Sequence, residues 1–218
     1  MFIGHFAVAY AGKRVAPRTN LGWLFVAAQF ADLLWPVLLL QGVETVRIVP
    51  ARGNPFLTLD FTSYPWSHSL LMDVIWGVVL ASVYYSLRRD RNGAGVTFAL
   101  VVSHWVLDWV THRPDMPLYP GGAWKLGLGL WNWPVATIAI ELLMFVAGVW
   151  IYLNTTRPKE NDRFGHIGAW ALVIFLLVLY AASIFSPPPP SVSALAVGAL
   201  IGWPLAIAPW WTDKHRTT

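Results

Sequence analysis

Six histidines and eleven carboxylates are the side chains of this sequence that could hold a metal ion, because it contains no cysteine. The densest group lies in Ser103–Asp115, SHWVLDWVTHRPD, where His104, Asp108 and His112 stand four residues apart. On an α-helix that spacing puts all three on one face, one turn above the next. Their neighbours are Val101, Val102, Trp105, Val106, Leu107, Trp109 and Val110, too apolar all round for a helix in water. A carboxylate and two imidazoles in such surroundings need a partner, since an isolated charge in an apolar medium is costly. A divalent cation is the obvious one. Other ionisable residues sit in equally apolar stretches: His5 in residues 1–12, Asp32 in 20–41, His68 and Asp73 in SHSLLMD, and Glu141 in 133–153. Without thiolates the donor set is imidazole and carboxylate, which suits zinc or manganese and excludes iron–sulfur clusters.

The elements that must position these residues are membrane helices. Hydrophobic residues make up 56% of the 218 and charged residues only 12%, against about 25% charged in soluble domains. The mean hydropathy is +0.53. Residues 1–12 are apolar but too short to cross a bilayer, which takes about 20 residues, so a short helix tucked against the bundle is expected there. Six spans follow, over residues 20–41, 67–87, 94–112, 133–153, 166–185 and 192–211. The fold class is therefore all-α, a polytopic bundle of about six spans plus a short N-terminal helix. Asp32, near the middle of its span, would cost roughly 2.5–3.5 kcal/mol on insertion scales, so it should face the interior and be paired. Five residues is roughly 140° of helix, so His68 and Asp73 should not share a face if their helix is regular.

Residues 42–66 form the longest polar loop, with Pro50, Gly53, Asn54 and Pro55 breaking any regular element; it is long enough to be a lid. Residues 116–131 read as an interfacial loop, with Trp124, Trp131 and Trp133 at headgroup level. Pro187–Pro190 must make a stiff extended corner. Residues 1–154 carry the ionisable groups and form the metal-site domain. Residues 155–218 read as a transmembrane hairpin that scaffolds the site or contacts another subunit.

Eleven of the fifteen Lys and Arg residues fall at 13–18, 88–91, 157–163 and 214–216, and four (Arg47, Arg52, Arg113, Lys125) on the opposite side. That bias makes the first side cytoplasmic. It also accounts for the net charge of +4 without a nucleic-acid partner. His68, Asp108, His112, Asp32, Glu141 and His5 then fall in the outer half of the membrane. Together they offer enough nitrogen and oxygen donors for one or two divalent ions.

His5, Asp32, the SHS around His68, Ser103-His104 with Asp108, and the LYP at 118–120 resemble the predicted membrane-bound metal-dependent hydrolases of the YdjM-like family. The resemblance runs from residue 1 to about 145. A His followed four residues on by Asp is also distantly similar to zinc-dependent phospholipase C. The resemblance implies that His5, His68, His104 and Asp108 bind metal, that Asp32 binds metal or orients water, and that Glu141 matches a further acidic position. The family's PDxDH stretch is ADLLW here, at 31–35, which leaves room for Asp73 or His112 (with Asp115 beside it) to take a role.

These observations lead to a membrane-bound, zinc-dependent hydrolase acting on a lipid-linked substrate, a phosphoester in preference to an amide. It would sit in the inner membrane with its site on the non-cytoplasmic side. Asp32 or Asp73 would accept the proton from water. Arg113 would either attract an anionic headgroup or anchor at the interface. Two other classes stay open. A metal- or proton-handling transporter uses the same intramembrane residues, although it would show an internal repeat and broken helices, and the sequence shows neither. A structural membrane protein tied by its ion would need a closed coordination sphere.

Overall fold

A computed structural model describes residues 1–50 and 53–218; Arg52, counted above on the non-cytoplasmic side, lies outside the described residues. The short first helix, α1 (Ile3–Val15), is not peripheral. Ile3, His5, Phe6, Ala9, Tyr10 and Gly12 are all buried, and the other helices pack around them. Small residues permit this. A Cβ on Gly148 of α7 (Pro134–Thr155) would fall 2.3 Å from the Ala7 carbonyl oxygen, so only glycine lets these two helices touch along their backbones.

Residues 20–41 do not form one straight span. They make α2 (Leu21–Ala28) and α3 (Phe30–Leu40), bent by 55° at Gln29. The polar stretch after them is not irregular either. Thr45–Ile48 (β1) pairs antiparallel with Leu59–Ser63 (β2), Arg47 opposite Asp60. Val46 turns inward while the Arg47–Asp60 ion pair stays on the exposed side, the two-residue alternation that a half-buried hairpin requires.

The second expected span is interrupted at its mouth: α4 (Pro65–His68) ends, Ser69 adopts an extended conformation, and its hydroxyl caps Met72 at the start of α5 (Leu70–Arg88). The helix that carries His104 and Asp108 is α6 (Arg91–Thr111). After α7 come α8 (Arg163–Phe185) and the extended proline corner. A last segment then runs as α9 (Val192–Ala199), α10 (Gly202–Ile207) and α11 (Pro209–Lys214). Among the described residues, five stretches are long and apolar enough to cross a membrane, or six with α2–α3 taken as one broken span.

Two apolar clusters fill the interior, a smaller one around Trp35, Tyr64 and Trp105 and a larger one built on α1. Ile3, Phe6, Tyr10, Phe25 and Phe145 meet Leu172, Leu176, Tyr180 and Ala206, so the core continues across residue 155. At the basic end, the buried Lys13 ammonium donates to Asp213 at 2.6 Å, tying α1 to α11. The outward faces remain apolar, with Val78, Leu143, Val146, Phe175 and Val178 exposed. That reverses the pattern of a water-soluble bundle and suits helices whose backbone groups are satisfied internally against lipid.

Candidate metal centre

The face of α6 that turns inward carries Gly93, Thr97, Leu100, Val101, His104, Trp105, Asp108 and Thr111, the helical stripe that the sequence spacing implies. His112 caps the helix with an extended backbone, and its N–H still donates to the Asp108 carbonyl at 2.7 Å. Four of the six histidines converge on the Asp108 carboxylate. Oδ1 lies 3.1 Å from His5 Nε2; Oδ2 lies 3.3 Å from His104 Nε2, 3.8 Å from His112 Nε2 and 3.9 Å from His68 Nε2. The Met1 amino group also pairs with Asp108 Oδ1. Asp32 approaches from α3, its Oδ1 3.4 Å from His68 Nε2 and 3.9 Å from His104 Nε2. The His5 and His104 rings stack, 3.8 Å between centroids and 5° from parallel. Two sets offer one donor atom each within 4.8 Å of one another: His5, Asp32 and His104, and His68, His104 and Asp108.

What turns these side chains inward is a second layer of acceptors, most of which the sequence does not announce. His104 Nδ1 donates to the Ala28 carbonyl at 2.8 Å. In a continuous helix that carbonyl would be taken up by residue 32, and the bend after Ala28 leaves it free. His68 Nδ1 lies 2.7 Å from Ser67 Oγ, and the Ser67 hydroxyl donates to Glu44 Oε2 at 2.6 Å. Since that hydroxyl's hydrogen goes to the carboxylate, its oxygen accepts from His68. Glu44 is itself fixed, accepting the Trp66 and Ser67 amides on Oε1. His112 Nδ1 donates to Asp115 Oδ1 at 2.9 Å, and the Tyr64 hydroxyl donates to the same oxygen at 2.9 Å. Burial first, then the Asp115 charge beside it, push the Tyr64 hydroxyl well above the ordinary tyrosine value, so it remains a donor.

Each of these three imidazoles thus carries its hydrogen on Nδ1 and presents the Nε2 lone pair to the carboxylates. This is how proteins prepare histidines for a metal: the far nitrogen is held by a carboxylate, carbonyl or hydroxyl, which fixes the tautomer and ring orientation. Among the described residues the buried atoms His104 Nε2 and His5 Nδ1 have no hydrogen-bond partner, and such groups are rare without a reason. The donors present fit a divalent ion of the zinc type.

The remaining sequence candidates are placed differently. Asp73 is completely buried, and among the described residues neither carboxylate oxygen has a hydrogen-bond partner of good geometry. Glu141 belongs to neither donor set. Its Oε2 accepts the Phe2 and Gly4 amides at 2.8 and 3.2 Å, capping the first turn of α1 where the helix dipole favours an anion. Asp115 orients His112 rather than standing apart with it. Arg113 is half-buried and forms no ion pair among the described residues. Trp124 and Trp133 are exposed, whereas Trp131 lies on His112, ring centres 4.1 Å apart. With Phe61 of β2, 4.9 Å from His112, it covers the His112 ring. Glu44 is the residue the sequence reading missed. Its only signal is being the one acid between Asp32 and Asp60.

No curated protein and no solved structure matches the chain, so the similarity to zinc-dependent phospholipase C finds no support. A family model does match, described as YdjM inner membrane protein, over residues 1–189. That range contains every residue of the site and passes well beyond residue 145, where the sequence motifs end. The chain belongs to the YdjM inner membrane protein family.

Proposed function

We propose that this chain is a membrane-embedded metal-dependent hydrolase, with zinc as its ion and a lipid-linked phosphoester as its substrate. The observation that carries the reading is the set of three histidines whose Nδ1 atoms are committed to Ala28, Ser67 and Asp115, so that their Nε2 atoms face two carboxylates. Structural support this elaborate has no use if the imidazoles only fill space. His5, His68, His104, Asp108 and Asp32 would hold the ion, with His112 beside them and Asp73 behind.

A zinc ion bound there would act as a Lewis acid and lower the pKa of water to about 7. The protein's own part is to orient and to move protons. Asp32 is the one carboxylate of the site with a substantially open side chain, at 40% exposure against 4% for Asp108. It is therefore placed to hold a water molecule and take its proton. Phe61 and Trp131 keep bulk water from the His112 side. With the basic segments cytoplasmic, the site and the β1–β2 hairpin face the non-cytoplasmic side.

The test is turnover of short- and long-chain phosphoester lipids by purified protein in mixed micelles. Chelator-sensitive hydrolysis that zinc restores is expected, and its absence with a zinc-loaded protein would remove the reaction from the reading. One observation favours ion handling instead: the 55° break between α2 and α3 beside Asp32, since discontinuous helices line many transport sites. Zinc or proton flux into protein-containing vesicles, lost on Asp32→Asn, would select that function.

A further inference from the structure

Asp32 is reached through a cleft of about 260 Å³ bounded by the start of α1, by α3, by α8 and by the α9–α10 break. Of its eleven lining residues only Gln29, Asp32 and Trp35 carry polar atoms in their side chains, and the Trp35 indole N–H is buried without a partner. The outer wall is at membrane depth. Leu179 is six residues from the end of α8 at Phe185, and Ile201 nine residues from Val192, where the last segment begins. At 1.5 Å per residue these are roughly 9 and 14 Å from the corner, inside a hydrocarbon layer about 30 Å thick. Val178, Val197 and Ile201 beside the mouth are 57%, 61% and 51% exposed, so the cleft opens among side chains that face lipid tails. The other members of the site are at most 4% exposed, which makes the Asp32 end the open side.

We infer that this cleft seats one hydrocarbon chain of a membrane lipid, admitted sideways from the bilayer between α8 and the α9–α10 break, with the lipid's polar end brought against Asp32. The inference rests on the hydrolase reading for what happens at Asp32, but the seat itself is a matter of shape and polarity. Water-soluble esters have no counterpart for the apolar wall. A hydrocarbon chain does. The volume accommodates a single chain.

The test uses the full chain in nanodiscs containing a phospholipid with a diazirine on its acyl chain. Photolabelled peptides are mapped by mass spectrometry and bound zinc is measured on the same samples. Label is expected on peptides containing Phe2, Phe6, Leu179 and Ile201. Two variants plug the cleft from different walls, Ala199→Trp and Leu179→Trp; filling the seat with an indole should remove most of that label. Neither alters a zinc-donating residue, so zinc content should stay at the parent value. Labelling of both plugged proteins at the parent level, or label on the parent chain confined to the outer faces of α5 and α7, overturns the seat whether or not zinc is bound. Label as expected on a chain that binds no zinc keeps the seat and removes the enzyme.

Discussion

Glu44→Gln is the most searching substitution the site allows, because it changes one atom far enough from the proposed ion to leave every donor in place. Glu44 is 1% exposed and accepts three hydrogen bonds, two amides on Oε1 and the Ser67 hydroxyl on Oε2. Glutamine has one carbonyl oxygen. Kept on the two amides, it turns its NH2 toward Ser67 Oγ. The hydroxyl must then accept from the amide and donate to His68 Nδ1, which moves the imidazole hydrogen to Nε2. His68 would face the site with a donor in place of a lone pair. Binding a cation would require breaking that arrangement and leaving one buried polar group unpaired, at about 1–3 kcal/mol. That corresponds to roughly 5–150-fold in affinity, overlapping the 10–100-fold typical of residues supporting metal ligands. The assay is a zinc titration against a competing chelator in detergent, with far-UV circular dichroism to show that the helices persist. Ser67→Ala, which removes the relay without inverting it, should lose less, and His68→Ala should lose most. If His68→Ala abolishes binding while Glu44→Gln binds zinc as tightly as the parent, the relay does not set the tautomer and the reasoning fails.

Four other outcomes follow from the same geometry. Changing His104 and Asp108 together to alanine should leave purified protein without stoichiometric zinc by elemental analysis, whereas His112→Ala, outside both donor sets, should weaken binding and keep the stoichiometry. Glu141→Gln should leave zinc content unchanged but lower stability by about 1 kcal/mol through loss of a charge at the α1 N-terminus, read as a thermal midpoint about 2–4 °C lower; loss of zinc instead would make Glu141 a ligand. Gly148→Ala should destabilise by well over 1 kcal/mol, because its methyl group would overlap the Ala7 carbonyl and overpacking costs that much. Ser63→Cys, exposed at the end of β2, should react with impermeant maleimide from the non-cytoplasmic side; labelling from the cytoplasm alone would reverse the orientation.

Much of this site could be read from the chain because helical periodicity is a strong signal. Four-residue spacing placed His104, Asp108 and His112 on one face, and the buried stripe of α6 follows it. The spans were legible from apolar length, and the corner at 187–190 from proline's missing donor. What escaped reading shares one cause: it is set by contacts between segments far apart in sequence. The obvious place to kink residues 20–41 is Pro36, yet α3 runs through Pro36 and the bend falls at Gln29, where no local residue demands it. The β1–β2 hairpin is only four and five residues long, too little alternation to stand out between Gly42 and Pro65. Trp131 reads as an interfacial tryptophan in its Gly-, Pro- and Trp-rich loop. Its place over His112 depends on where the loop after Asp115 folds back.

The irregular backbone and the site are two aspects of one arrangement. A regular membrane helix satisfies its own carbonyls and has none to spare for an imidazole. His104 therefore needs a helix that stops, and α2 stops at Ala28, whose carbonyl takes its Nδ1 hydrogen. His68 sits at the end of α4, a four-residue turn whose first amides belong to Glu44. His112 lies just past the end of α6, where the chain can fold Asp115 back onto its ring. Three histidines from the bundle are supported at three breaks, and all three converge on Asp108. A purely structural cluster would be simpler to build from unbroken helices and apolar side chains, at no cost in unpaired polar atoms. That these helices break where imidazoles need acceptors is the strongest physical reason to regard the site as functional, and it explains why Asp32, just past the first break, faces both the histidines and the cleft.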